Sequence, residues 1–270
     1  MADEAPSPRY THGHHESVLR SHRWRTAENS AGYLLPHLTP GMSLLDVGCG
    51  PGTITRDLAT RVAPGAVLGL DRSEDALAAA RELARDLPGL AFSPGDVYAL
   101  EFGDGAFDVV HAHQVLQHLN DPVAALAEMG RVCREGGLVA VRDGVYATMT
   151  WYPEADELTR WLDLYCRTAR ANGGDPDAGR RLVGWARAAG LTDLTASAST
   201  WCFSSPEDRR WWAETWAQRI TVSALAEQIV ELGFAAQDTL DAIGAAWLRW
   251  AEAEDGWFAM LHGEVLCRPG

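Results

Sequence analysis

Between residues 42 and 143, short apolar runs alternate with stretches of helical spacing. "MSLLDV" (42–47), "AVLGLD" (66–71), "GLAFSPGD" (89–96), "AFDVVHA" (106–112) and "LVAVRD" (138–143) are each short and bounded by turn residues. Runs of that length and bounding predict buried strands of a parallel sheet. Between them the spacing predicts helices over Thr53–Val62, after Ser73 with a stripe at Leu77, Ala80, Leu83, Ala84 and Leu87, and from Asp121-Pro122 to about Glu135. Ser73 and Asp121 are cap residues, and Pro122 suits a first helical turn. Upstream, Val18, Leu19, Trp24, Ala27, Ala31, Leu34, Leu35 and Leu38 predict a helix over 16–38.

After residue 150 the pattern changes. Helical spacing predicts segments over 153–170, 206–233 and 236–254, with Asp175-Pro176 and Ser205-Pro206 as helix starts. "LTDLTASASTWCF" (191–203) and "GWFAMLHGEVLCR" (256–268) alternate enough to be the last two strands. The expected architecture is α/β. It is a seven-stranded, mostly parallel sheet with helices on both faces and a helical cap inserted near the C-terminal strands. The expected organisation is a loose tail over 1–9, an N-terminal helical lid over 10–40 and a core over 41–150. A cap over 151–255 carries the sixth strand, and the final strand occupies 256–270. In such sheets ligands bind beyond the carboxyl ends of the strands, which places loops 48–53, 71–73, 95–97 and 112–118 around one crevice.

Composition narrows the ligand. The net charge is −14, and the only basic cluster is "RSHRWR" (20–25). That balance argues against nucleic acid and for a small neutral or cationic ligand. No run of 18 apolar residues is present, so no membrane span is expected. The five cysteines are scattered and form no CxxC pair. They predict reduced thiols, a cytoplasmic location and no metal site. Ten of the eleven tryptophans lie between 151 and 257. Each suits core packing, yet together they suggest an aromatic pocket for a hydrophobic or planar acceptor. A homodimer is an open alternative to a monomer.

The stretch "LLDVGCGPGT" (44–53) leaves the first strand and opens a helix, the setting of a nucleotide-type loop. A dinucleotide fingerprint would need a third glycine at 53, which is Thr. The chain also has no lysine, which removes the Tyr-x-x-x-Lys pair of a nicotinamide-dependent oxidoreductase. The pattern Asp46-x-Gly48-x-Gly50-x-Gly52 instead resembles motif I of the class I S-adenosylmethionine (SAM) methyltransferases. "GLDRSEDAL" (69–77), "SPGDVYAL" (93–100) and "FDVVHAHQVLQHLNDP" (107–122) resemble the segments that follow it. The last of these is similar to the ubiquinone/menaquinone biosynthesis branch. "YTHGHHESVLRSHRWRTAENSAGYL" (10–34) and "FAMLHGEVLCR" (258–268) resemble that branch's N-terminal segment and final strand. The cap resembles nothing that we can name.

The resemblance implies a Rossmann-like core that binds SAM and releases S-adenosylhomocysteine. It implies backbone contacts from Gly48, Cys49, Gly50 and Gly52. Asp71 would accept the ribose hydroxyls, with Arg72 along the adenine or facing water. Asp96 and the Val97 N–H would contact adenine, and His113 and Gln114 would lie beside the methionine part. Asp46 would organise the loop by accepting N–H groups around 48–50, and would meet the cofactor's amino group. Cys49 is otherwise a small filler. The candidates for a general base are Tyr10, His14, His15 and His118, although His118 also suits a cap at the helix starting near 121. Tyr146 is a candidate to face the acceptor. A SAM-binding protein without catalysis is the alternative function.

Overall fold

The computed structural model describes residues 24–270. The expected tail, and Tyr10, His14, His15 and the rest of the expected lid up to residue 23, lie outside the described residues. The described part of the lid is not one helix. It holds α1 (Ala27–Ser30), capped by Thr26, and a single 3-10 turn over Leu35–His37. Gly32 and Pro36 interrupt the spacing that predicted a continuous helix, since proline has no N–H to give the preceding turn.

The chain then winds β1 (Leu44–Val47), α2 (Thr53–Val62), β2 (Val67–Asp71), α3 (Glu74–Ala84), β3 (Leu90–Pro94), β4 (Phe107–His113), α4 (Pro122–Val132) and β5 (Cys133–Gly144). These five strands pair in parallel in the order β3-β2-β1-β4-β5. The order reverses beside β1, which opens a crevice at the strand ends. Alternate residues of each strand feed opposite faces. Leu45 and Val110 pack with Leu126 and Met129 of α4, whereas Leu44 and Val109 pack with Leu58 of α2 and Leu77 of α3. Caps fall as expected: Ser73 accepts from the Ala76 N–H and Asp121 from the Ala124 N–H.

Two boundaries differ from the expected ones. Helix α4 stops at Val132, and Cys133 already pairs with Phe107. Gly136 and Gly137 therefore lie in a bulge of β5 instead of ending a helix. A Cβ on Gly137 would come within 2.8 Å of the Asp108 carbonyl oxygen.

The rest of the chain adds β6 (Thr150–Tyr152), α5 (Asp156–Ala171), α6 (Leu182–Ala188), β7 (Thr192–Phe203), α7 (Pro206–Val222), α8 (Ala224–Glu231), α9 (Gln237–Ala251) and β8 (Trp257–Arg268). Strand β8 runs antiparallel beside β5, and β7 runs antiparallel along β8. The sheet has eight strands, not seven. The extra one, β6, spans three residues on the start of β8, too few to leave a periodic signature. Asp175-Pro176 opens no long helix. The Asp175 carboxylate accepts the Asp177 N–H in a turn, and α6 starts later. The segment 206–233 is two helices. Ser223 is extended; its hydroxyl donates to the Arg219 carbonyl and accepts the Leu225 N–H, which breaks the ladder.

Helices α5 and α7–α9 pack against β7 and β8 around a further hydrophobic core that also takes in Phe203 and Phe258. Trp161 lies at its centre, with ring centroids 4.5 Å from Trp216 and 4.8 Å from Trp247.

Candidate active site

A cavity of about 430 Å³ lies between the carboxyl ends of the parallel strands and α7 of the cap. Its sheet side is lined by the end of β1, the loop after it and the start of α2 (residues 46–51, 53 and 54), Asp71 to Ser73 after β2, Gly95 and Val97 after β3, and residues 113–115 and 117–119 at and after the end of β4. Its cap side is lined by Tyr146, Trp201, Trp211, Trp212, Trp216, Arg219 and Met260. Trp24 and Arg25 add the near end of the N-terminal segment.

The glycine loop is shaped by the protein itself. Gly48, Gly50 and Gly52 all have left-handed backbone, with φ of 68°, 54° and 80°. A Cβ on Gly48 would stand 2.4 Å from Val115 Cγ2, and one on Gly52 would stand 2.6 Å from the Phe92 ring. At these two positions the absence of a side chain is required by the turn and by neighbouring residues, before any ligand is considered.

The two acids at this loop divide the work differently from expectation. Asp71 Oδ2 accepts the Gly50 N–H at 2.8 Å, and its Oδ1 accepts the Ser73 N–H at 2.9 Å. Asp71 therefore pins the loop to the second strand while lining the cavity. Asp46 does not hold the loop's N–H groups. It is buried, accepts the Thr55 hydroxyl at 2.5 Å, and lies 2.7 Å from Nδ1 of the buried His111. His111 was not visible as a functional residue in the sequence. The only signal would have been a histidine at an inward position of an otherwise apolar strand.

Gly52 and Asp96 are the described predicted site residues that the fold does not bring to the cavity lining; Gly52 faces Phe92 and Ala80 instead, and Asp96 faces its own turn. The Asp96 carboxylate accepts the Tyr98 N–H at 3.0 Å in the turn after β3, while its neighbours Gly95 and Val97 line the wall. Arg72 lines it as well. Cys49 is half-buried on the lining, and burial pushes its thiol pKa up, so it is a neutral wall group.

His113 and Gln114 stand where the two sides meet. Gln114 has φ of 54°, rare for a residue with a side chain. Its N–H donates to the Arg142 carbonyl, and its side-chain nitrogen lies 2.9 Å from His262 Nε2 on β8. His113 is 6% exposed, and neither ring nitrogen has a hydrogen-bond partner among the described residues. Burial, then the charges of Arg142 and Arg25, hold its pKa well below the imidazole range. His118 does not cap the next helix; Asp121 does. The His118 ring instead lies 3.1 Å from the Gln117 amide nitrogen. Burial, and then Arg25, push His118 down to about 3, so it offers the cavity a neutral, weakly basic imidazole.

A buried polar cluster backs this wall. Arg142 on β5 faces Glu264 on β8 at 3.2 Å, Ser197 donates to Glu264, and Ser199 bonds both partners. The Trp201 ring lies between the guanidinium groups of Arg142 and Arg25, 5.1 Å and 5.4 Å from their carbons. The cluster was illegible in sequence because the three segments that form it, at 142, 197–201 and 264, are more than 50 residues apart.

These buried imidazoles make stability depend on pH. His113 and His262 are both held neutral when folded, by burial first and then by Arg142 and Arg25. In the unfolded chain they protonate near the ordinary value of about 6.5. Stability is therefore lost as pH falls below that value, by up to about 1.4 kcal/mol per pH unit for each. Asp143 opposes this: burial lifts its carboxyl to about 7, so the folded state gains as the pH falls through that value. With His118, which burial and then Arg25 push down to about 3, three imidazoles against one carboxyl leave a net loss of about 2 kcal/mol between pH 6.5 and 5.5. Equilibrium urea unfolding at the two pH values checks this, and a stability that is flat or higher at pH 5.5 would refute it.

Comparison with known proteins gives a consistent picture. A family model described as a methyltransferase domain matches residues 38–193. An uncharacterised methyltransferase of Schizosaccharomyces pombe is 36% identical over 267 residues, 95% of either chain. The demethylmenaquinone methyltransferase of Lactococcus lactis is 37% identical over 121 residues, 44% of this chain and 48% of that one. Among solved structures, phosphoethanolamine N-methyltransferase 2 of Haemonchus contortus, in complex with phosphomonomethylethanolamine and S-adenosylhomocysteine, superposes with a TM-score of 0.54 at 19% identity. The match covers 86% of this chain and 50% of that one. Among the described residues no helix is long and apolar enough to cross a membrane, and no cluster of His, Cys, Asp and Glu could hold a metal ion.

Proposed function

The chain belongs to the class I SAM-dependent methyltransferases, and from that premise we propose that it methylates a small, largely hydrophobic molecule held under the helical cap. The observation that carries this reading is one cavity with two chemically different sides. The sheet side offers backbone, carboxylates and small residues, and the cap side offers four tryptophans and a tyrosine.

SAM bound in such a site supplies an electrophilic methyl group on a sulfonium. The chain's own residues hold and orient. The sheet side fits such a ligand because Asp71 presents its carboxylate at the strand end beside the glycine turn, where two hydroxyls of a ribose can donate to it. Val97 and Leu70 give an apolar wall for a base, and Gly48, Cys49 and Gly50 offer main chain. His113, with both ring nitrogens open, is the polar group at the junction with the acceptor side.

Methyl transfer is an in-line displacement, so alignment and exclusion of water supply most of the acceleration. The aromatic side does both for a planar acceptor. Burial holds the Tyr146 phenol high, at about 12, despite the charges of Arg219 and Arg25. His118 is weakly basic, so the site supports an acceptor whose proton is lost easily or that has none to lose. The five free thiols support a reducing compartment, the cytoplasm.

The test is transfer of an isotope-labelled methyl from SAM to a panel of planar apolar acceptors and a matched panel of sugars and amino acids. Label in the apolar products supports the reading. Binding of SAM without transfer to any acceptor points to a silent binder, and transfer confined to the polar panel overturns the acceptor class.

A further inference from the structure

We infer that the side-chain amide of Gln114, held in place by His262, receives a hydrogen bond from the acceptor, and that the acceptor carries a hydroxyl at the end that meets β4. This rests on the methyltransferase reading above. It adds the polar group by which the site would recognise its acceptor, and a positioning residue, His262, that is not on the described lining.

Gln114 is built against the preference of its backbone. Its φ of 54° lies in the left-handed region, where a side chain costs energy and glycine does not. Strain of that kind persists where the surroundings impose it, and it gathers at functional sites. Two contacts impose it here. The Gln114 N–H donates to the Arg142 carbonyl at 2.7 Å, and the side-chain nitrogen lies 2.9 Å from His262 Nε2. Glycine would serve the turn alone; the amide is the part that needs a use.

The amide is oriented. His262 is buried, and burial, then Arg142 and Arg25, hold it neutral. Of the two nitrogens in contact, the amide one carries hydrogens, so it donates and His262 Nε2 accepts. The amide oxygen has no hydrogen-bond partner among the described residues, and Gln114 lines the cavity. That oxygen is left for a ligand that donates.

Direction assigns the ligand. In the sheet β4 lies between β1, which leads into the glycine loop, and β5, with β8 beyond. The Gln114 side chain reaches past β5 to β8, away from the glycine loop. The His113 ring leans the same way: its centroid is 5.7 Å from Trp201 on β7 and 6.4 Å from His262. Trp201 and Met260 belong to the cap side of the cavity. The resemblance sets residues 113 and 114 beside the methionine part of SAM. Their main chain can serve it there while both side chains turn to the acceptor.

The two side chains define the group. Gln114 offers an oxygen that accepts. His113 is neutral, and neither ring nitrogen has a hydrogen-bond partner among the described residues, so it offers one N–H and one lone pair. A hydroxyl can donate to one residue and accept from the other. An ether or a methyl group would leave the Gln114 oxygen unpaired in an enclosed site, a penalty that separates a hydroxyl from its isosteres.

The test is titration calorimetry on the full chain saturated with S-adenosylhomocysteine. Three probes of similar shape are compared: 2-naphthol, 2-methoxynaphthalene and 2-methylnaphthalene. The naphthol is expected to bind about tenfold tighter than either of the others. Gln114→Gly keeps the left-handed turn and should bring that ratio to about two or less, with S-adenosylhomocysteine affinity within about threefold of wild type. His262→Phe keeps the ring but not its nitrogens and should lower the ratio equally. His262→Gln, which can still bond the amide, should restore part of it. The inference is overturned if the wild-type chain shows no binding of the naphthol or no preference for it, or if Gln114→Gly keeps the preference. It is overturned as well if Gln114→Gly weakens S-adenosylhomocysteine by about tenfold or more, since the side chain would then serve the cofactor. An unchanged ratio in His262→Phe overturns the positioning role; if that variant does not fold, His262→Leu takes its place. Failure of the wild-type chain to bind S-adenosylhomocysteine would instead defeat the underlying methyltransferase reading.

Discussion

Asp71→Ala is expected to weaken S-adenosylhomocysteine binding by about 100-fold or more. The carboxylate would contribute twice. It is the acid proposed for the ribose hydroxyls, and charge-assisted hydrogen bonds of that kind are among the stronger ones. It also fixes the Gly50 N–H at 2.8 Å and the Ser73 N–H at 2.9 Å. Without it the glycine turn keeps only the Cys49 N–H bond to the Leu70 carbonyl as a tie to the second strand, and an amide donor inside the site loses its partner. Asp71→Asn should fall between wild type and alanine, because an amide retains one acceptor. Calorimetric titration of the three proteins is the measurement. An alanine variant within threefold of wild type would show that the sugar is held elsewhere.

Trp161→Ala is expected to destabilise the fold by about 3–5 kcal/mol, the range for emptying a large buried aromatic site. Trp161 is fully buried and wedged edge-on between Trp216 and Trp247. Neighbours as rigid as indoles fill a void poorly, so little of the loss would be recovered by collapse. Trp216 also lines the cavity, so the same substitution should loosen the acceptor side while leaving the glycine loop in place. Equilibrium denaturation gives the stability, and the ratio of acceptor to S-adenosylhomocysteine affinity gives the coupling. A loss under about 1 kcal/mol would mean that the cap core repacks freely.

The tryptophans show where sequence reading stops. Their crowding after residue 150 is plain, but their roles are not. Trp161, Trp247 and Trp250 build the cap's interior, Trp201, Trp211, Trp212 and Trp216 face the cavity, and Trp257 is 40% exposed. All sit at helical or strand spacings that look alike. The face each presents depends on how α5, α7 and α9 cross, which no local pattern records. Ser223 is a similar case: a residue that reads as helix interior ends α7, because its hydroxyl competes for backbone partners.

By itself the sequence determined the alternating strands and helices of the core, the glycine turn after β1, the acid at the end of β2 and the resemblance that ties them to SAM. These are local features. Apolar runs, capping residues and turn glycines act over a few positions, so a linear reading captures them. Only the tertiary structure decided the eighth strand, the passing of the loop-holding contact from Asp46 to Asp71, and the position of Asp96 outside the cavity lining. It alone brought His262 to Gln114, 148 residues away, and set Arg219 and Arg25 against the tryptophans. Those facts depend on which distant side chains share a low-dielectric space. There a guanidinium's charge carries far, and an imidazole gives up its proton.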